Sequence, residues 1–214
     1  MNFTQFRETC RDLPYIKTRG MLTPVAGMPQ AMRNQLTRWQ NKGLLIPLKR
    51  GVYILNKNDR KIFPSRFFFA NQLMWPSYVS LESALSYYGL IPEAVADITS
   101  ITSKKTNCFK NSLGEFIYQH LKPEVFKGYH SFKDEAGMEV LIAEPEKAVV
   151  DFLYLNLNKF KASAKDVFKD SYRFQNTQTL NCRKIVLLAR FFRNSRLEAV
   201  AREFCAFIKD EKND

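Results

Sequence analysis

The fold of the first part of the chain is decided by one stretch, MPQAMRNQLTRWQNKG at residues 28–43. Pro29 suits the first position of a helix and Gly43 suits the residue just past its end, so the pattern predicts a helix between them. Met32, Leu36 and Trp39 recur at spacings of four and three, which gives one apolar face. We expect that face to pack in a core.

The opposite face of this predicted helix carries side chains that read base edges or hold phosphates. Arg pairs with guanine, Asn and Gln pair with adenine, and Thr contacts either. The stretch contains no acidic residue that would repel phosphate. The sequence therefore predicts a DNA-recognition helix whose contacts come from Gln30, Arg33, Asn34, Thr37 and Arg38.

A predicted β-hairpin follows at residues 44–55, LLIPLKRGVYIL, with Lys49, Arg50 and Gly51 at its tip. Upstream, we expect a short helix over 3–11 and a helical or turn segment over 15–22. Helices followed by a hairpin with a basic tip are the layout of a winged helix-turn-helix. In that layout Lys49 and Arg50 would contact phosphate or the adjacent minor groove.

Positive charge is concentrated at the two ends of the chain. Residues 1–60 carry 11 Lys and Arg against 3 Asp and Glu, residues 61–159 carry 10 against 11, and residues 160–214 carry 12 against 7. A cluster at one end favours a dedicated anion-binding module. A charged, solvated surface is the alternative explanation for both ends.

The rest of the chain mixes helix and strand patterns. We expect helices near 63–73, 78–90 and 145–155, and strands at 98–102, 115–121, 128–132 and 138–143. Helices near 164–172, 179–193 and 196–209 follow. The prediction is an α+β protein: a winged helix-turn-helix at 1–60, a polar link at 56–61, and a mixed α/β domain at 61–214 with a small, mostly antiparallel sheet and a helical tail from about residue 160.

Composition excludes several classes of protein. No apolar run is long enough for a transmembrane helix, and the N-terminus has no signal-peptide pattern, so we expect a cytoplasmic protein that does not bind a membrane. The four Cys are scattered without metal-ligand spacing, which predicts reduced thiols and no metal. We expect no cofactor. The oligomeric state stays open, with a monomer among the options.

An enzyme is the class that we weigh and set aside. A restriction-type nuclease needs carboxylates for Mg²⁺ and a nearby Lys at a strand end. Here Glu144 and Glu146 lie beside Lys147 without the required spacing, and Pro145 indicates that they begin a helix. We therefore expect cap and first-turn roles, and an i,i+4 pair between Lys147 and Asp151.

Several segments together resemble the AbiEi family, the antitoxin halves of AbiE-type, type IV toxin–antitoxin systems. They are the hairpin LLIPLKRGVYIL, the segments YVSLESALSYYGLIPE (78–93), ITSITSKKT (98–106) and GEFIYQHLKPEVFKGY (114–129), and VLIAEPEKAVVDFLYL (140–155). The resemblance covers roughly residues 15–160.

The resemblance implies a winged helix that represses its own operon, with DNA contacts on the helix at 30–42 and on the wing at Lys49 and Arg50. It also implies a C-terminal domain that counteracts a nucleotidyltransferase-like toxin in phage abortive infection. Direct contact with the toxin is not required, and the family offers no catalytic residues. A stand-alone winged-helix regulator without a toxin and, less favoured, a nuclease-like enzyme are the alternatives.

Overall fold

The computed structural model describes residues 1–18, 30–160 and 166–211. The described chain is a mixed α+β protein, as the sequence predicts. Two buried clusters form: a small one near the N-terminus and a large one that reaches from the hairpin to the last helix.

The N-terminal part, the head, begins with helix α1 (Phe3–Cys10), which Asn2 caps by accepting a hydrogen bond from the backbone N–H of Gln5. Strand β1 (Ile16–Lys17), helix α2 (Gln30–Asn41), strand β2 (Leu45–Lys49) and strand β3 (Val52–Leu55) follow. The three strands form an antiparallel sheet in the order β1-β3-β2. This order of elements agrees with the predicted winged helix-turn-helix in the described residues, which do not include the segment before α2.

The expectation of a helical or turn segment over 15–22 is corrected in part. Ile16 and Lys17 form a strand, because β3 offers them an unpaired edge opposite Tyr53 and Val52. Residues 19–29, where the helix before α2 would lie, are outside the described part of the chain.

The second part is built on a sheet of six strands in the order β6-β7-β5-β4-β9-β8 among the described residues. Its strands are β4 (Ser77–Val79), β5 (Ile98–Thr102), β6 (Asn107–Asn111), β7 (Gly114–His120), β8 (Tyr129–Lys133) and β9 (Glu139–Ala143). Three pairings are antiparallel, while β4–β9 and β5–β7 are parallel. The sheet is therefore mixed, with a majority of antiparallel pairs.

The helices of the second part pack on this sheet and on one another. They are α3 (Arg66–Leu73), α4 (Leu81–Tyr87), α5 (Pro145–Leu155), α6 (Cys182–Phe191) and α7 (Ser195–Glu211), with a π-helical turn at Val167–Ser171. Phe168, Phe204 and Phe207 form part of an aromatic cluster beneath α7. None of the described helices has the length and apolar character needed to span a bilayer.

Two expectations about the second part are wrong in detail. The predicted helix over 78–90 is divided into strand β4 and helix α4, with Ser80 at the N-cap position between them. Strand β6 was not predicted, because most of its side chains are exposed and its polar composition lacks an apolar alternation. Both strands exist because neighbours distant in sequence hydrogen-bond to them.

Candidate nucleic-acid interface

Helix α2 has one apolar face and one solvated face. Leu36 and Trp39 are buried, and the Trp39 ring contacts Phe6 at 4.8 Å and Phe3 at 5.4 Å between ring centroids. The apolar face predicted from the sequence is therefore the face that packs in the head. The solvated face projects away from that cluster.

Four of the predicted DNA-reading residues are exposed on the solvated face: Arg33, Asn34, Thr37 and Arg38. The Thr37 hydroxyl donates to the Arg33 carbonyl at 3.2 Å, so it is partly engaged within the helix. Gln30 begins α2, and its side chain lies outside the described part of the structure. The structure thus brings the described candidates together on one helical surface.

The hairpin positions the two wing cations differently. Arg50 lies exposed at the turn. The Lys49 ammonium turns inward, donates to the Leu73 carbonyl at 2.5 Å, and lies 5.5 Å from the centre of the Phe109 ring. Burial, with smaller contributions from Lys17 and Lys104, lowers the pKa of Lys49 below its ordinary value.

This placement of Lys49 differs from the expectation of a phosphate contact at the wing. The side chain reaches the second part of the molecule because the hairpin packs against it, a contact that no local sequence pattern reveals. In the structure the exposed cation at the wing is Arg50.

A surface groove beside the wing was not predicted from the sequence. The turn between β6 and β7 borders a surface groove of about 570 Å³, together with the end of α2 and strand β2. Lys110, near the end of β6 and 3.8 Å from the Glu115 carboxylate, has a side chain that is 83% exposed. Because Lys110 lies in the segment with a nearly balanced charge, its sequence context gave no signal of a position next to the head.

A buried polar cluster occupies the centre of the second part. Asp151 pairs with Lys147 at 2.5 Å and accepts hydrogen bonds from Tyr78 at 3.0 Å and Ser80 at 2.9 Å. Burial raises the pKa of Asp151, although Lys147 and the hydroxyl donors oppose this effect. All four side chains belong to residues at most 1% exposed, so a substrate has no access to them.

The acidic residues considered for a nuclease have structural partners. Glu144 occupies the N-cap position of α5 and Glu146 lies in its first turn, as predicted. Lys184 contacts both carboxylates, at 3.1 Å and 2.9 Å. Burial raises the pKa of Glu146, but hydrogen bonds from Lys184 and the Asn181 backbone outweigh it, so the pKa lies below its ordinary value.

Within residues 1–18, 30–160 and 166–211, no group of three or more His, Cys, Asp or Glu side chains converges as a metal site. Comparison with known proteins finds no matching family model and no matching curated sequence. The solvated face of α2 and the neighbouring wing are thus the candidate site that geometry and charge support best.

Proposed function

We propose that this protein binds double-stranded DNA through α2 and the wing and regulates transcription of its own operon. The observation that carries the proposal is the solvated face of α2, where two Arg, an Asn and a Thr are exposed while Leu36 and Trp39 hold the opposite face in a core. An α-helix with such a face fits the major groove, where Arg and Asn discriminate between bases.

The arrangement of the wing supports the same proposal. Arg50 is exposed at a tight turn next to the sheet that supports α2, which suits a phosphate or minor-groove contact. We assign the wing contact to Arg50 rather than to Lys49, since the Lys49 ammonium already has a carbonyl partner. The net charge of +8 over residues 1–60 adds a general attraction to DNA.

The antitoxin role is part of the proposal and rests on the resemblance to the AbiEi family alone. In that role the protein counteracts a nucleotidyltransferase-like toxin without requiring contact with it. A stand-alone regulator without a toxin is the alternative. A growth assay separates the two: co-expression with a neighbouring nucleotidyltransferase-like gene restores growth if the protein is an antitoxin and has no effect otherwise.

The DNA-binding proposal is tested by footprinting the full-length protein on the DNA upstream of its own gene, with a salt titration. Arg33→Ala should weaken binding by about 1–3 kcal/mol and relax base preference at one position. Arg50→Ala should weaken binding to all sequences and reduce the salt slope by about 0.9. Lys49→Ala should leave the slope nearly unchanged.

Lys169→Ala is the matched control, because Lys169 is an exposed cation on the π-helical turn, outside the proposed interface. A discrete protected site that Arg33→Ala weakens and Lys169→Ala does not supports the proposal. Uniform coating of DNA that all four variants change equally would show that the protein binds DNA only through its overall positive charge, and would contradict the proposal.

A further inference from the structure

A surface groove of about 620 Å³ lies between α6 and α7, far along the sequence from the proposed DNA interface. Its apolar floor is formed by Val186 and Leu187 of α6 and by Ala206 of α7. Leu187 is 53% exposed. Helix α6 buries Ile185 and Ala189 in the core and packs Val186 partly against it, while Leu187 and Ala206 leave the outer part of the floor exposed to solvent.

Four exposed cations surround this floor: Arg183, Arg190, Arg202 and Lys209. No carboxylate lines the groove. The Glu198 carboxylate lies 4.0 Å from Arg190. The lining that the described residues give this groove therefore carries a net positive charge.

One end of the groove is formed by two thiols in contact, those of Cys182 and Cys205. Burial, together with the neighbouring Cys182, raises the pKa of Cys205 to about 12, so this thiol is protonated at neutral pH. Cys205 therefore adds no negative charge that would neutralise the rim.

Three kinds of occupant are compared with the size and chemistry of the groove: a helix of a partner protein, a second copy of the chain, and nucleic acid. From Arg183 to Arg190 the groove extends over seven residues, about 10 Å, or two helical turns. A second copy of the chain in a symmetric contact would place the cationic rims against each other. Nucleic acid would find cations but no aromatic ring in the lining on which to stack bases.

We propose that the groove between α6 and α7 binds an acidic amphipathic helix of a partner protein. The apolar side chains of that helix contact Val186, Leu187 and Ala206, and its flanking carboxylates pair with the four cations. This is helix-in-groove recognition, in which apolar anchors give the affinity and rim charges fix the register. The proposal is independent of DNA binding by the head.

The test uses full-length protein and a fluorescein-labelled helical peptide that carries Leu along one face and Glu elsewhere. Fluorescence anisotropy measures its dissociation constant. Leu187→Asp, which removes the exposed apolar anchor, should weaken binding at least about tenfold, as should the double variant Arg190→Glu/Arg202→Glu. A peptide of the same composition with a scrambled order should bind at least about tenfold more weakly.

Lys105→Glu is the matched control, because it reverses an exposed charge in the loop between β5 and β6, outside the groove. It should change the affinity by less than about twofold, since screening limits charge effects over long distances. Circular dichroism confirms that each variant is folded, and Leu187 is exposed enough for its substitution to leave the core intact.

Four outcomes would overturn the proposal. The ordered and scrambled peptides could bind equally, or the groove variants could bind like Lys105→Glu; either result would reduce the interaction to general charge attraction. Displacement of the peptide by a single-stranded oligonucleotide that shows the same sensitivity to the variants would assign the groove to nucleic acid. Self-association that Leu187→Asp abolishes would assign it to a second copy of the chain.

Discussion

At the residue scale, the buried ion pair between Lys147 and Asp151 depends on its hydrogen-bond partners. The Lys147 ammonium also donates to the Val125 carbonyl at 2.9 Å, and Asp151 accepts from the Tyr78 and Ser80 hydroxyls. Each carboxylate oxygen therefore has a donor. A charge at this depth is tolerated only because its partners compensate for lost hydration.

Lys147→Met should destabilise the protein by about 3–5 kcal/mol, because it leaves the Asp151 carboxylate buried without its ion partner. Urea denaturation at neutral pH measures the free energy of unfolding. The double variant Lys147→Met/Asp151→Asn should regain part of the loss, since Asn is neutral and still accepts hydrogen bonds from Tyr78 and Ser80.

Lys105→Met, at an exposed position, is the control for that measurement and should stay within about 0.5 kcal/mol of the parent protein. If the single variant Lys147→Met and the double variant were equally stable, the unpaired charge of Asp151 would not be the source of the loss. The pair was predicted from the i,i+4 spacing, whereas the hydroxyl partners come from β4 and the residue that follows it.

At the scale of elements, the hairpin of β2 and β3 contributes to both buried clusters. Leu45 and Leu55 belong to the cluster of the head, while Leu48, Val52 and Ile54 belong to the large cluster of the second part. The side chains of a strand alternate between its two faces. A hairpin that lies between two layers can therefore contribute side chains to both buried clusters. The wing is thus held on the body of the protein.

The turn of this hairpin depends on Gly51, whose φ is +78°. A Cβ atom there would lie 2.9 Å from the Thr18 hydroxyl oxygen, while a Cβ at Gly43, with a φ of +68°, would have no neighbour within 4 Å. Gly51→Ala should therefore cost about 2–3 kcal/mol, and Gly43→Ala about 1 kcal/mol from backbone conformation alone.

Thermal or urea unfolding of the two Gly variants provides the measurement, and Gly43→Ala is the built-in control. If Gly51→Ala and Gly43→Ala lowered the free energy of unfolding equally, crowding against Thr18 would not contribute to the cost of Gly51→Ala. If Gly51→Ala also weakens DNA binding while its unfolding transition stays well above the assay temperature, the conformation of the turn positions Arg50.

At the scale of the whole molecule, hydrogen bonds as well as the shared hairpin connect the head to the second part. The Tyr15 hydroxyl donates to the Gln72 side chain at 2.9 Å, and the Asn111 amide donates to the Leu48 carbonyl at 3.0 Å. Together with the bond from Lys49 to Leu73, these bonds join the head to α3 and to the end of β6. We infer that the head and the second part unfold together, although the sequence divides them near residue 60.

The two Trp residues allow a direct test of this inference. Trp39 is buried in the head and Trp75 is 63% exposed, so Trp75→Phe leaves Trp39 as the sole Trp with little expected loss of stability. In that variant, urea unfolding followed by Trp39 emission and by far-ultraviolet circular dichroism should give coincident curves. A separate, earlier transition in Trp39 emission would show that the head unfolds independently.

Local signals explain why much of the architecture could be predicted. Strand β5 has the predicted bounds, α5 begins at Pro145 as expected, and α2 lies between Pro29 and Gly43, because proline and glycine act through their own backbone preferences. Strand β4 was not recognised because three residues carry too little pattern. Its pairing with β5 and β9 depends on segments about 20 and 60 residues away.

By itself, the sequence determined the α+β class, the apolar and polar faces of α2, and the concentration of positive charge at the two ends. These features are local: they depend on backbone preferences, side-chain spacing and net charge. The tertiary structure alone decided that Lys49 turns inward, that Lys110 lies beside the wing, and that α6 and α7 leave an apolar floor within a cationic rim. Each of these depends on residues distant in sequence coming into contact, which no local pattern encodes.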